Sequence, residues 1–299
     1  MTRAGALGAL LVLLGCVPAA EELAPRGAAG AALTPSAAAR GEPFVTDDGW
    51  TVRFETLALV GIVGVRCERE FGGRSEVVLW NGARLAHRFV RALDVGACQV
   101  DVRFTRFVYD PRVVEEQNVR ARIGATDDGL AAETVRRLLA PPDDEVSRPS
   151  TSRGFVSGPA MIVRFRGERD GRSVVADVAL SVPPSTSSTA PPIPGVPPPL
   201  GQAGRVVVSA NDVVYADIDV VPEQLFRDPA TGAHAFGEIA DADVDGDGFA
   251  TPSELAAAPA AFPNSPGTPC TGSRDATHGA CTSRLLVLRG RAGLVLVAR

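Results

Sequence analysis

Residues 243–254 of this 299-residue chain set oxygen-bearing side chains at regular short intervals: Asp243, Asp245 and Asp247, then Thr251 and Glu254. Carboxylates this close repel one another unless a cation sits between them. Calcium is a hard cation that takes about six to eight oxygens at loose geometry. Counted from Asp243, the Asp residues fall at loop positions one, three and five, and Gly248 takes the sharp turn at six. Phe249 offers its backbone carbonyl at seven. Thr251 acts directly or through water at nine, and Glu254 closes the shell with both oxygens at twelve. Starting instead at Asp241 would put Gly246 correctly at six but Pro252 at twelve, where a carboxylate is required. Asp241 is then an extra negative charge outside the ligand set. A merely solvated acidic turn explains neither the alternation nor the placing of Glu254.

Position eight is Ala250. A branched aliphatic there pairs such a loop with a second one, and the chain has no second loop. Ala250 is expected to pack poorly, and the loop to act as a structural clip or a modest-affinity site. The stretch "DADVDGDGFATPSEL" resembles an EF-hand, which implies helix–loop–helix calcium binding. Residues 234–242 would form a short entering helix with Phe236 and Ile239 on one face. Residues 253–258, rich in Ala and stopped by Pro259, would form the exiting one. Dockerin modules share such loops but carry two, which argues against docking of that kind.

These elements need a compartment and a body. Arg3 followed by an apolar run over residues 4–14 is too short to span a bilayer and has secretory proportions. The run ends in Leu13-Leu14-Gly15-Cys16, which resembles a bacterial lipobox with Cys16 as the lipidated residue. The alternative is an ordinary signal peptide cut after Ala19-Ala20. Residues 1–16 are thus read as a signal peptide with lipobox. Residues 17–42, dominated by Ala, Pro and Gly, are read as a flexible tether, and residues 43–299 as the folded body.

All 30 basic residues are Arg, and the formal net charge of −5 argues against broad phosphate binding and hence against nucleic acid. Aromatic residues make up 5%, so the core is expected to be aliphatic. Removing Cys16 from the five cysteines leaves an even set of four, with three pairings open. The nearest-neighbour choice is Cys67–Cys98 and Cys270–Cys281. The rival, a Cys/His metal site with His278, lacks paired spacing and suits an exported chain badly.

Residues 50–55 alternate Trp50, Val52 and Phe54 against Thr51, Arg53 and Glu55, the pattern of a half-buried strand. Residues 57–65, 76–80, 88–91, 99–109, 204–209, 213–220, 284–290 and 293–298 read as further strands. Residues 161–167 and 172–182 flank Glu168-Arg169-Asp170-Gly171 as a hairpin. An amphipathic helix is expected over 128–140, ended by Pro141 and Pro142. The Pro-rich stretch 183–200 reads as an exposed loop. The expected fold is mostly β: a sandwich-like two-sheet domain with one or two short helices and an EF-hand-like insertion over 234–260.

In order, "DDGWTVRFETLALVGIVGV" and "LFRDPATGAHAFGEIADADVDGDGFATPSEL" resemble a group of myxobacterial-type exported lipoproteins that join a strand-rich body to one late EF-hand loop. That resemblance implies no catalytic activity. Where such proteins can carry a His or Asp before the Leu-Phe pair, this chain has Glu223 and Gln224. The chain has no Gly-x-Ser-x-Gly elbow, HExxH, P-loop or dinucleotide fingerprint, and His87, His234 and His278 have no evident catalytic partners. The expectation is a calcium-binding lipoprotein anchored in the cell envelope, with the outer membrane weakly favoured, in a structural or interaction role and without enzyme activity. The alternative is a periplasmic or surface binding protein for a small ligand or a transition metal, its pocket lined by Trp50, Trp80 and Asp217.

Overall fold

The long apolar stretch after Trp50 forms one strand, β3 (Thr51–Cys67), and most of the body is hydrogen-bonded to it. The computed structural model describes residues 26–67, 74–81, 88–94, 96–104, 108–109, 132–143, 156–181, 203–228, 231–258, 283–292 and 295–298. Cys16, Cys270, Cys281, His87, His278 and the Pro-rich stretch 183–200 lie outside the described residues.

The protein is mostly β, with two larger mixed sheets and a few short helices. In the eight-stranded sheet β3 pairs antiparallel with β2 (Phe44–Val45), β4 (Arg74–Asn81), β6 (Gly96–Phe104) and β9 (Met161–Arg169). Strand β10 (Arg172–Leu180) follows β9 as a hairpin turned at Asp170 and Gly171, both at positive φ. Strand β11 (Ala203–Val208) closes the far edge against β6. A small pair, β7 (Val108–Tyr109) and β8 (Val156–Ser157), stands apart. The expected helix over 128–140 is seen as α1 (Ala132–Leu138), with Val135 and Leu138 buried.

The four-stranded sheet corrects the reading of residues 17–42 as a tether. Residues 26–35 form strand β1 (Arg26–Pro35), set between β5 (Arg88–Asp94) and β12 (Val213–Val220) and parallel to the latter. Ala29, Ala31 and Leu33 face the core in strict alternation, and Ala38 and Ala39 in the following turn are buried as well. Small residues are required here. A Cβ on Gly27 would stand 2.2 Å from the Ser209 carbonyl oxygen and 2.5 Å from Val208 Cγ1. Composition alone hid this strand, because Ala and Gly suit a linker and a tightly packed strand equally.

The expected strand over 284–290 is a helix, α4 (Arg284–Ala292). Leu285, Leu288 and Ala292 repeat at helical spacing and are buried, so the apolar run obeys the period of a helix rather than that of a strand. Strand β14 (Leu296–Ala298) then pairs with β12. Residues of both sheets and of α4 contribute to one hydrophobic cluster. That cluster is aliphatic for the most part, but against expectation its largest fully buried side chains include Trp50, Phe165, Phe226 and Phe236, gathered at one end.

Candidate metal centre

The acidic loop is held at that aromatic end. It enters through a single turn of helix, α2 (Gly237–Ala240), much shorter than residues 234–242 suggested. Phe236 and Ile239 are both buried, as their shared face required. The Phe236 ring lies 5.2 Å from Trp50 and 5.9 Å from Phe165, centroid to centroid. It fits because β9 carries Gly167, where a Cβ would stand 2.2 Å from the ring. Asp48, in the turn before β3, holds the start of α2. Its carboxylate accepts from the Gly237 amide at 2.7 Å, the Phe236 amide at 3.1 Å and the Thr46 hydroxyl at 2.6 Å. Asp47 accepts from the His234 amide at 2.7 Å, so that stretch is tied to the sheet through its backbone.

The loop leaves through β13 (Phe249–Ala250) and α3 (Pro252–Ala257). Strand β13 pairs parallel with β10, Phe249 opposite Val175 and Ala250 opposite Ala176. The Val175 amide also donates to the Gly248 carbonyl at 2.9 Å. This corrects the expectation that Ala250 packs poorly. Ala250 is fully buried, and the pairing usually made with a second loop is made with the body's own sheet. A small side chain suits a strand laid close on β10. Leu255 buries the inner face of α3, and the Arg284 amide of α4 donates to the Ala258 carbonyl at its end.

Within the loop, the ligand atoms of Asp243, Asp245 and Asp247 lie within 4.8 Å of one another. Gly246 and Gly248 have φ of +73° and +83°, which lets the chain turn back at both points. The Asp247 amide donates to Asp245 Oδ1 and the Phe249 amide to Asp247 Oδ1, which tightens the coil around the carboxylates. Asp245 and Asp247 are exposed. Asp243 is not: its side chain is 2% exposed, and its Oδ1 is buried with no hydrogen-bond partner.

Glu254 stands outside that three-carboxylate cluster and forms a capping box with Thr251 at the start of α3. Glu254 Oε2 accepts from the Thr251 hydroxyl at 2.6 Å and from its amide at 2.9 Å. These bonds, the hydroxyl first, hold the Glu254 carboxyl below its ordinary range. Its Oε1 accepts from the Val244 amide at 3.2 Å, so the side chain already reaches back across the loop to position two.

Two residues near the site were missed by sequence reasoning. Asp48 gave no signal beyond membership of a polar turn. Arg172 read only as the residue after a hairpin turn, yet it is the cation beside Asp243 among the described residues, at 3.8 Å from Oδ2.

The remaining sequence candidates do not converge. Trp50 is a core residue, 1% exposed, and Asp217 is exposed on β12 in the other sheet, so the two do not line a common pocket. Glu223 accepts a hydrogen bond from Ser36 at 3.0 Å. Asp143 pairs with Arg137 at 3.1 Å and accepts from the Ala179 amide of β10 at 2.6 Å. Cys98 is disulfide-bonded, and Cys67 is its cross-strand partner in the β3–β6 register.

No family model, curated protein or solved structure matches this chain. What the loop can do therefore rests on its own chemistry. A buried carboxylate oxygen without a partner costs free energy that a cation would recover. Among the described residues the ligand group there is three carboxylates, hard oxygens that suit calcium better than zinc or copper.

Proposed function

We propose that this protein is a calcium-binding lipoprotein of the bacterial cell envelope, lipidated on Cys16, with a structural or interaction role and no catalytic activity. In this reading the two sheets form a sandwich-like body, and residues 234–260 are a single EF-hand-like insertion in it. The observation that carries the proposal is the buried, unpartnered Oδ1 of Asp243 beside two further carboxylates. Asp243, Asp245, Asp247 and the Phe249 carbonyl would hold the ion, with Thr251 and Glu254 completing the shell. Glu254 needs only a local shift, since it already spans the loop to Val244.

The ion's role follows from what the loop joins. Phe236 anchors one end in the aromatic cluster, β13 lies on β10, and Leu255 anchors the other end. An ion that binds only the folded loop stabilises the whole chain, by about 2.7 kcal/mol at a hundredfold excess over its dissociation constant. Thermal unfolding in calcium and in chelator tests this. The expected result is a higher Tm in calcium that Glu254→Gln removes, and identical wild-type curves would defeat it. For the anchor, Cys16→Ser is expected to move the protein from the membrane fraction to the soluble one. For the cysteines outside the described residues, peptide mapping is expected to find Cys270 joined to Cys281.

A further inference from the structure

The calcium loop carries a resident cation of its own. Arg172 opens β10, directly after the Asp170-Gly171 turn, and its guanidinium reaches three parts of the loop entrance. One NH2 donates to the Ala240 carbonyl at the end of α2, at 2.6 Å. The same nitrogen stands 3.8 Å from Asp243 Oδ2, and the other terminal nitrogen stands 3.8 Å from Asp241 Oδ1. The group also lies 5.9 Å from the Trp50 ring, whose other cationic neighbour is Arg169 at 4.9 Å.

This arrangement is asymmetric. Asp243 is the most enclosed carboxylate of the loop and, by its place in the motif, the first ligand. Arg172 is 45% exposed, so it faces the buried acid from a position that solvent still reaches. At 3.8 Å it gives Asp243 an ion pair without a hydrogen bond. It therefore neutralises Asp243 in part and leaves Oδ1 unpartnered. A divalent ion taken up by Asp243 shares that carboxylate with a positive charge already beside it.

We propose that Arg172 is the counter-cation of the ion-free loop and the residue that sets its calcium affinity. This rests on the calcium reading of the loop and adds its regulation. The guanidinium offsets the charge of Asp243, with that of Asp241 beside it, when calcium is scarce and opposes the ion when it arrives. Arg172 thereby shifts the site towards the high calcium concentrations found outside a cell. Repulsion between a monovalent and a divalent cation a few ångströms apart in a largely solvated setting is worth about three- to tenfold in affinity.

The test is a calcium titration by calorimetry, paired with thermal unfolding in chelator, on wild type, Arg172→Gln and Arg172→Lys. Arg172→Gln is expected to bind calcium about three- to tenfold tighter than wild type while unfolding at a lower temperature in chelator. The opposite signs separate this role from a structural one, which would weaken both. Arg172→Lys keeps the charge and is expected to return affinity to near the wild-type value. Should Arg172→Gln fail to fold, Arg172→Met removes the charge while keeping a long unbranched side chain and carries the same expectation. Wild type that binds while the neutral variants bind equally or more weakly would overturn this inference alone. Wild type that shows no binding would overturn it together with the calcium reading.

Discussion

Replacing Asp243 with Asn tests whether that carboxylate is held for an ion or for the fold. The side chain is 2% exposed, its Oδ1 has no partner among the described residues, and Arg172, the cation beside it there, stands 3.8 Å away and is half exposed. An ion pair of that kind contributes about 0–1 kcal/mol. An unsatisfied buried polar group costs about 1–3 kcal/mol, and more when charged. Removing the charge should therefore leave the calcium-free protein within about 1 kcal/mol of wild type, or make it more stable. The calcium increment behaves differently. At a hundredfold excess over the dissociation constant it should be about 2.7 kcal/mol in wild type. That corresponds to about 4–5 °C in Tm for a chain of this size. Asp243→Asn should abolish it. Differential scanning fluorimetry of both proteins, in chelator and in calcium, gives the four values needed. A full calcium shift in Asp243→Asn would refute the ligand assignment. A loss of more than about 2 kcal/mol in chelator would show that Asp243 serves the fold itself.

Gly167→Ala should lower stability to urea by about 1–3 kcal/mol or more, because its Cβ would stand 2.2 Å from the Phe236 ring. Phe236→Leu in the same chain should recover part of the loss, and equal unfolding of Gly167→Ala and wild type would contradict the packing described. Non-reducing peptide mapping should recover Cys67 linked to Cys98, and Cys98→Ser should cost about 3–4 kcal/mol by loop closure. An unchanged denaturation midpoint would contradict that. Glu55 gives a pH dependence: burial pushes its carboxyl up, but hydrogen bonds from Arg166 and Arg164 outweigh this and hold it below its ordinary value of 4.5. A lowered folded value contributes stability that is present above the unfolded value and lost as pH falls through the folded one. Stability of wild type should therefore fall more steeply below pH 4.5 than that of Glu55→Gln, and parallel acid limbs would contradict it.

The acidic loop was legible in the sequence because its information is local. Residue type and spacing over a dozen positions place three carboxylates together, and the structure gathers Asp243, Asp245 and Asp247 as the spacing required. The hairpin around Asp170-Gly171 and the buried face of Phe236 and Ile239 were legible for the same reason. What escaped depends on partners distant in the chain. Gly27 of β1 has no room for a side chain because Val208 and Ser209 press against it, and nothing in residues 26–35 announces that neighbour. Ala250 seemed a defect only while its partner was taken to be a second loop, whereas β10 accepts it. The run after Ser283 holds consecutive apolar residues whose period is ambiguous over so short a length, and packing on α3 and the 3₁₀ helix Pro222–Phe226 resolves it as α4. Arg172 became visible only once the hairpin was set beside the end of α2.

The most direct measurement is native mass spectrometry of the folded chain sprayed from volatile buffer with and without millimolar calcium. The account predicts a population one calcium ion heavier than the bare chain, lost on chelation and absent from Asp243→Asn. A chain that stays at its bare mass in millimolar calcium, or that takes up zinc or copper in preference, would contradict it.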